Sequence, residues 1–329
     1  VSHRVKIVSE QDICPFRLLS SSTKQKDAIM VTEIEQLVLY PMCVFTISRY
    51  NMSNPYSIIL APNPSIETGP GTNTIVVDGG DAERAGAMVI DPANDNPEHL
   101  NAIIHEGNLR GGIRRILLTH GHPDHIGGAE ILGQQLGVPI CGYSRRGIPF
   151  LDEEIPDNTA FPAGNDMLRA LYTPGHRFDH LSFFLEQQHI LFAGDLVASK
   201  STVVIPTAPE GDMFDYINSL KRLQSLEITE IVPAHGLIIS NPEQKLSDYI
   251  RHRMERERQV LSLLERYHPQ GLDIPTLVQH IYANIDSQLH RLAAQSVEAH
   301  LLKLEREGRV HRTPQKSPTS LGIWYLVVD

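Results

Sequence analysis

Residues 119–128 read Thr-His-Gly-His-Pro-Asp-His-Ile-Gly-Gly and hold four potential metal ligands, His120, His122, Asp124 and His125, within six positions. Imidazole nitrogen and carboxylate oxygen together suit a borderline divalent cation, zinc above all, which needs no redox partner. One loop cannot complete two coordination shells. Further ligand types follow downstream: His176 after Thr-Pro-Gly, Asp195 after Ala-Gly, and His235 after Pro-Ala.

Each of these residues is preceded by a short apolar run, at 113–118, 170–172, 190–193 and 231–232, with a turn former between run and ligand at the later sites. Strands that deliver loops to one edge of a sheet have this pattern. A helix over residues 96–111, carrying Leu100, Ile103 and Ile104 on one face, leads into the strand before the His-rich loop. A second helix is expected over 126–136, stopped by Gly137, and a strand over 138–141. Residues 144–166, rich in Pro, Gly and acid, read as a long surface excursion near the mouth of the site. A helix through Leu223 is expected to start at Asp212 and Asp215, whose carboxylates suit a helix N-terminus.

The order HxHxDH, a lone His after Thr-Pro-Gly, Gly-Asp and then a His followed by Gly resembles the metal-binding pattern of the metallo-β-lactamase superfamily. The resemblance implies an αββα sandwich, an α/β fold. It implies that His120, His122 and His176 hold one zinc and that Asp124, His125 and His235 hold a second, with Asp195 bridging; manganese or iron would suit the same His/Asp set. Gly71-Thr72-Asn73-Thr74 before a short strand looks like a signature of the subgroup that includes mitochondrial lactamase-like endoribonucleases and fungal polyketide thioesterases, and it makes Asn73 a candidate substrate contact. Asp91, at the end of a strand, is similar to the carboxylate that orients a ligating imidazole in this superfamily. His180, four residues after His176, resembles the second His of that motif, with an orienting or substrate-contact role. The candidate catalytic residues are Asp124, Asp195 and His180.

Composition is that of a globular chain: 329 residues, net charge −10, 41% hydrophobic. No apolar run is long enough to span a bilayer, and residues 1–26 lack the apolar core of a secretory signal. Cys14, Cys43 and Cys141 form neither a disulfide framework nor a zinc pattern, which favours a reducing compartment, the cytoplasm or alternatively the mitochondrial matrix. Residues 1–30 read as a weakly structured arm, with β-type segments at 34–40 and 44–50. Residues 31–248 then form the catalytic domain and 249–329 a winged-helix-like unit: helices over 249–267, 274–282 and 288–307, then strands over 308–312 and 323–327. Residues 251–316 carry 11 Lys/Arg against 8 Asp/Glu, while the remainder carries 18 against 31. Such a weakly basic unit is a poor polyanion binder and better suited to packing on the catalytic domain.

A pair of zincs in such a set implies a hydrolase that uses a bridging hydroxide on a thioester, lactone or phosphodiester. Cys does not stand where Asp195 does, and no flavodoxin domain is present, so the chain departs from exported β-lactamases and from flavin-linked di-iron relatives. A single-strand-specific endoribonuclease is the alternative within the family. A winged-helix nucleic-acid-binding sensor is the alternative outside it. The substrate is thus a small ester or thioester or a single-stranded RNA, and a homodimer stays open.

Overall fold

The computed structural model describes residues 54–79, 86–200, 202–284, 286, 289–313 and 322–328. The expected N-terminal arm, the β-type segments at 34–40 and 44–50, Cys14 and Cys43 lie outside the described residues.

Two sheets form the centre. The first takes its strands in chain order: β1 (Tyr56–Leu60), β2 (Asn73–Val77), β3 (Ala87–Ile90), β4 (Ile113–Leu117), β5 (Ile140–Gly142) and β6 (Glu153–Glu154). Pairing is antiparallel across β1 to β3 and parallel from β3 to β6. Helix α1 (Pro97–Leu109) connects β3 to β4; α2 (Pro123–Ile126) and α3 (Ala129–Leu136) connect β4 to β5. The second sheet comprises β7 (Ala160–Ala163), β8 (Asp166–Tyr172), β9 (Leu181–Leu185), β10 (Ile190–Gly194) and β11 (Glu230–Pro233) in the order β11-β10-β9-β8-β7, with α4 (Met213–Gln224) between β10 and β11.

Side-chain alternation explains the layering. In β2, Ile75 and Val77 join the core shared by the two sheets, whereas Val76 faces outward against α1. In β9, Phe183 points into the same shared core and Phe184 packs outward, in the cluster that holds α4 residues Tyr216, Ile217, Leu220 and Leu223. Strands buried on both faces read as continuous apolar runs. Truncating a residue such as Phe183, fully buried, to Ala would cost about 3–5 kcal/mol. The result is the αββα sandwich expected from the sequence.

Three elements differ from expectation. The helix expected over 126–136 breaks at Gly127-Gly128, where added Cβ atoms would lie 2.8 Å from the carbonyl oxygen of Ala93 and 2.5 Å from that of Asn94. That close approach presses the His-rich loop onto the chain leaving β3. Residues 144–166 are not a bare excursion: they contribute β6 and β7, the edge strands of the two sheets. The helix expected from residue 249 begins at Pro242. It is α5 (Pro242–Arg266), capped by Asn241, whose Oδ1 accepts from the Gln244 N–H; proline at the first helical position is preorganised for that start.

The C-terminal part continues with α6 (Ile274–Ile281), α7 (His290–Arg306), β12 (Val310–Arg312) and β13 (Trp324–Leu326), the last two paired antiparallel. Its own core gathers Val260 and Leu264 of α5 with Leu277, Val297, Leu301, Leu304 and Trp324. Arg306 lies 4.1 Å over the Phe214 ring and forms ion pairs with Asp212 and Asp215, so this winged helix packs on α4. No described helix is long and apolar enough to cross a membrane.

Candidate metal centre

The seven predicted ligands converge at one end of the sandwich, at loops leaving β4, β8, β10 and β11. Their donor atoms fall into two sets, His120, His122, His176 and Asp195 in one, Asp124, His125 and His235 in the other, with the atoms of each set within 4.8 Å of one another. His122 Nδ1 lies 2.9 Å from His120 Nε2 and 3.1 Å from His176 Nε2. Asp195 stands between the sets: Oδ2 is 3.6 Å from both His125 Nε2 and His176 Nε2, and Oδ1 is 3.1 Å from His235 Nε2. Asp124 Oδ2 is 3.4 Å from His235 Nε2 and 3.7 Å from His125 Nε2.

Each imidazole of the first loop, and that of His176, is oriented through the nitrogen that faces away from the cluster. His125 Nδ1 bonds Asp91 Oδ2 at 2.7 Å. His120 Nδ1 lies 3.0 Å from Thr119 Oγ1, whose hydroxyl donates to Asp91. His176 Nδ1 donates to the Val204 carbonyl, and His122 Nε2 bonds Glu210 Oε1 at 2.8 Å. These contacts turn the inward nitrogens towards one another, placed to ligate. The inward His125 Nε2 is buried and has no hydrogen-bond partner. A buried polar atom without a partner costs about 1–3 kcal/mol, and a cation between these donors removes that cost. The residues therefore fit a metal.

Charge follows the same geometry. Burial opposes ionisation of Asp195, yet His125 and His235 hold its carboxyl well below the usual range. Burial also opposes the imidazolium of His125, but Asp195 and Asp91 outweigh it and push the group up. His235 is pushed up to about 9 against burial by its bonds to Asp124 and Asp195. Burial, helped by His125 and His176, drives His120 down. The carboxylates thus keep protons on His125 and His235 that a cation would displace.

Asp91 adopts φ +50°, a left-handed conformation that costs an L-residue roughly 1–2 kcal/mol. In return its carboxylate accepts from the Thr119 N–H and hydroxyl and binds His125. Gly194, at φ +54°, is held to glycine twice: an added Cβ would lie 2.7 Å from His180 Nε2.

His180 is fully buried. Its Nε2 accepts from the Asp195 backbone N–H at 3.1 Å, so Nδ1 carries the hydrogen and donates to Thr173 Oγ1 at 2.9 Å. Burial lowers its pKa to about 3. With both nitrogens engaged, this ring is placed to position Asp195, the orienting one of the two roles its sequence position suggests, and its one proton is committed to Thr173. Asn73, the candidate substrate contact, has its amide nitrogen donating to the carbonyls of Pro233 and Gly236, which flank the His235 turn.

Two contributions escaped sequence reading. Glu210 reaches His122 from a Pro-Glu-Gly-Asp turn before α4. The other is a stripe on α5 at four-residue spacing: Lys245 Nζ donates to the Ser199 carbonyl, Tyr249 Oη bonds the backbone of Ala198, and Arg253 donates to the Val203 carbonyl. That stripe grips the segment linking Asp195 to Val204, the acceptor for His176.

Two mixed sheets between helices, with a His/Asp basin at one end, define a hydrolase of the metal-binding sandwich class. The chain belongs to the metallo-beta-lactamase superfamily, which residues 67–235 match; residues 274–324 match the beta-lactamase associated winged helix domain. It is 32% identical over 270 residues to a beta-lactamase-like protein 2 homolog of Drosophila melanogaster, covering 77% of this chain and 88% of that one. It is 28% identical over 285 residues, 82% of this chain and 84% of the relative, to an atrochrysone carboxyl ACP thioesterase of a Cryptosporiopsis species. The crystal structure of a metallo-beta-lactamase family protein from Thermus thermophilus shares the fold, with TM-score 0.64 at 21% identity over 83% of this chain and 99% of that chain.

Proposed function

We propose that this chain is a dinuclear, zinc-dependent hydrolase of acyl thioesters. The observation that carries the choice of bond is the state of the acids at the site. His180 is neutral and locked on both nitrogens, and the carboxyls of Asp124 and Asp195 are both held below their usual range, against burial, by their histidine neighbours. A reaction run by such residues favours a leaving group that departs without a proton. A thiolate does so, since an ordinary thiol ionises near pH 8.5, whereas an alkoxide does not.

Bound in the two sets, a pair of divalent cations supplies a water activated near neutral pH and an electrophile for the oxygen that gains charge in acyl transfer. Asp195 spans the sets and holds them at a fixed separation. His180 fixes Asp195 through its backbone, and Asp91 fixes His125 and the Thr119 turn. Asp124, with side-chain exposure of 29%, is the ligand nearest the open face. The relative named as an ACP thioesterase supports a thioester substrate.

The test is hydrolysis by metal-quantified protein of matched panels of acyl thioesters and short single-stranded RNAs, with Asp195→Ala as control. Turnover of thioesters that disappears in the variant is the expected result. Cleavage of RNA with thioesters untouched would overturn it and favour an endoribonuclease.

A further inference from the structure

The rim of the site beside His122 carries a cation that no described residue neutralises. Residues 143–150 form a tight turn against the His-rich loop: an added Cβ on Gly121 would lie 2.6 Å from the Gly147 carbonyl oxygen, and one on Gly147 would strike the Asp179 carboxylate at 1.9 Å. The turn is locked internally. Ser144 O accepts from the N–H groups of Gly147 and Ile148, Arg145 Nε donates to the Leu151 carbonyl, and Tyr143 stacks on Tyr172 at 4.0 Å with the planes 9° apart.

Three arginines border this turn, and two of them are committed. Arg145 is tied to the backbone and lies near Glu154. Arg177 pairs with Asp179 at 2.7 Å and lies 3.6 Å from Glu210. Arg146 is exposed, and its guanidinium sits 4.7 Å over the ring of Phe178 and forms no ion pair among the described residues. Phe178 stands between Arg146 and Arg177, 5.4 Å from the latter, and Glu210 carries the chain of contacts on to His122. An uncompensated guanidinium is notable in a chain of net charge −10. Its carbon lies over an aromatic face, and its N–H fork, which no described residue engages, is left to grip an oxyanion with two hydrogen bonds.

We infer that Arg146, on its Phe178 platform, is an anion subsite that reads a phosphate on the thiol arm of the substrate. The proposal rests on the thioester reading of the metal centre and deepens it: the preferred substrates are thioesters whose thiol arm ends in a phosphate group, the chemistry shared by coenzyme and carrier-protein thioesters. A phosphate there lies outside the metal basin, so Arg146 contributes to holding the substrate and leaves the acyl-transfer step alone. Its effect falls on KM.

The test compares the same acetyl group on 4′-phosphopantetheine and on pantetheine, using the full chain loaded with zinc. The wild type is expected to prefer the phosphorylated ester in kcat/KM by about tenfold, the scale of a charge-assisted contact. Arg146→Ala should bring that ratio to about one by raising KM for the phosphorylated ester, and Arg146→Glu should bring it below one. A wild-type ratio of one, or a ratio insensitive to both substitutions, overturns the subsite. If the wild type hydrolyses neither ester, the thioester reading fails separately. The subsite is then judged by binding of free 4′-phosphopantetheine against pantetheine: tighter binding of the phosphate form that Arg146→Ala abolishes upholds it, and equal binding overturns it.

Discussion

Asp91 Oδ2 lies 2.7 Å from His125 Nδ1, at the end of a neighbouring strand and with neither side chain more than 2% exposed. The contact sets the His125 tautomer and aims the unpartnered Nε2 at Asp195. Asp91→Asn removes the charge and faces the imidazole N–H with an amide that also carries hydrogens. Metal affinity should fall about 10–100-fold, as when other outer partners of ligating histidines are removed. Competition against a chromophoric chelator reads this directly, and an unchanged affinity would refute the orienting role.

Protons and metal compete for the same donors. His125 is pushed up by Asp195 and Asp91 against burial, and His235 is pushed up to about 9, so both rings hold a proton at pH 7 in the metal-free protein. Zinc binding at pH 7 should release about two protons per chain. Apparent affinity should rise with pH until about 9. The sign for stability is opposite. A raised folded-state pKa contributes stability that is complete below the unfolded value of 6.5 and lost as pH climbs through about 9, so the metal-free protein weakens on the alkaline side. Calorimetric titrations in buffers of different ionisation enthalpy count the protons; zinc uptake with no proton release contradicts the geometry.

Arg253 donates to the Val203 carbonyl, and Val204 accepts from His176. Arg253→Met keeps the bulk and removes the donor. Leaving the carbonyl unpaired should cost about 1–3 kcal/mol. The informative readout is spectroscopic: in the cobalt-substituted protein, the visible bands of the set containing His176 should shift while those of the set containing His125 stay. Identical spectra would confine Arg253 to stability alone.

His300 is 1% exposed, and neither of its ring nitrogens has a hydrogen-bond partner. Burial, with Arg253, Lys303, His252 and Arg256 nearby, lowers its pKa to about 3. The unfolded chain therefore takes up a proton that the folded one refuses, and this contribution to stability is lost as pH falls below 6.5. His300→Leu should raise stability by about 1–3 kcal/mol, because it removes two unsatisfied buried atoms. The gain should be larger at pH 5 than at pH 7. Urea denaturation at the two pH values measures it, and a destabilised variant at pH 5 would show that the ring has a partner.

The candidate ligands were legible because they follow strands: an apolar run, a turn and a polar residue is a local signal that β8, β10 and β11 display, and the cluster after β4 is legible from its spacing alone. Glu210 was not, because its contact to His122 spans 88 positions and exists only once α4 packs under β8. His180 was placed near the chemistry by its resemblance to the second His of the family motif, but a resemblance does not reveal which way a ring faces, and here Gly194 lets it turn under Asp195. The start of α5 was expected at 249 and lies at Pro242, since a proline after Asn suits a helix start and a loop equally.

Helix α5 runs unbroken for 25 residues, with Lys245, Tyr249 and Arg253 on the loop of the metal centre and Val260 and Leu264 in the winged-helix core. It acts as an axle shared by two bearings. Exchanging the winged helix for that of a relative would work only if the splice left this rod whole, and a cut at residue 248 would pass between Lys245 and Tyr249. The two halves of this enzyme thus hang on one rod.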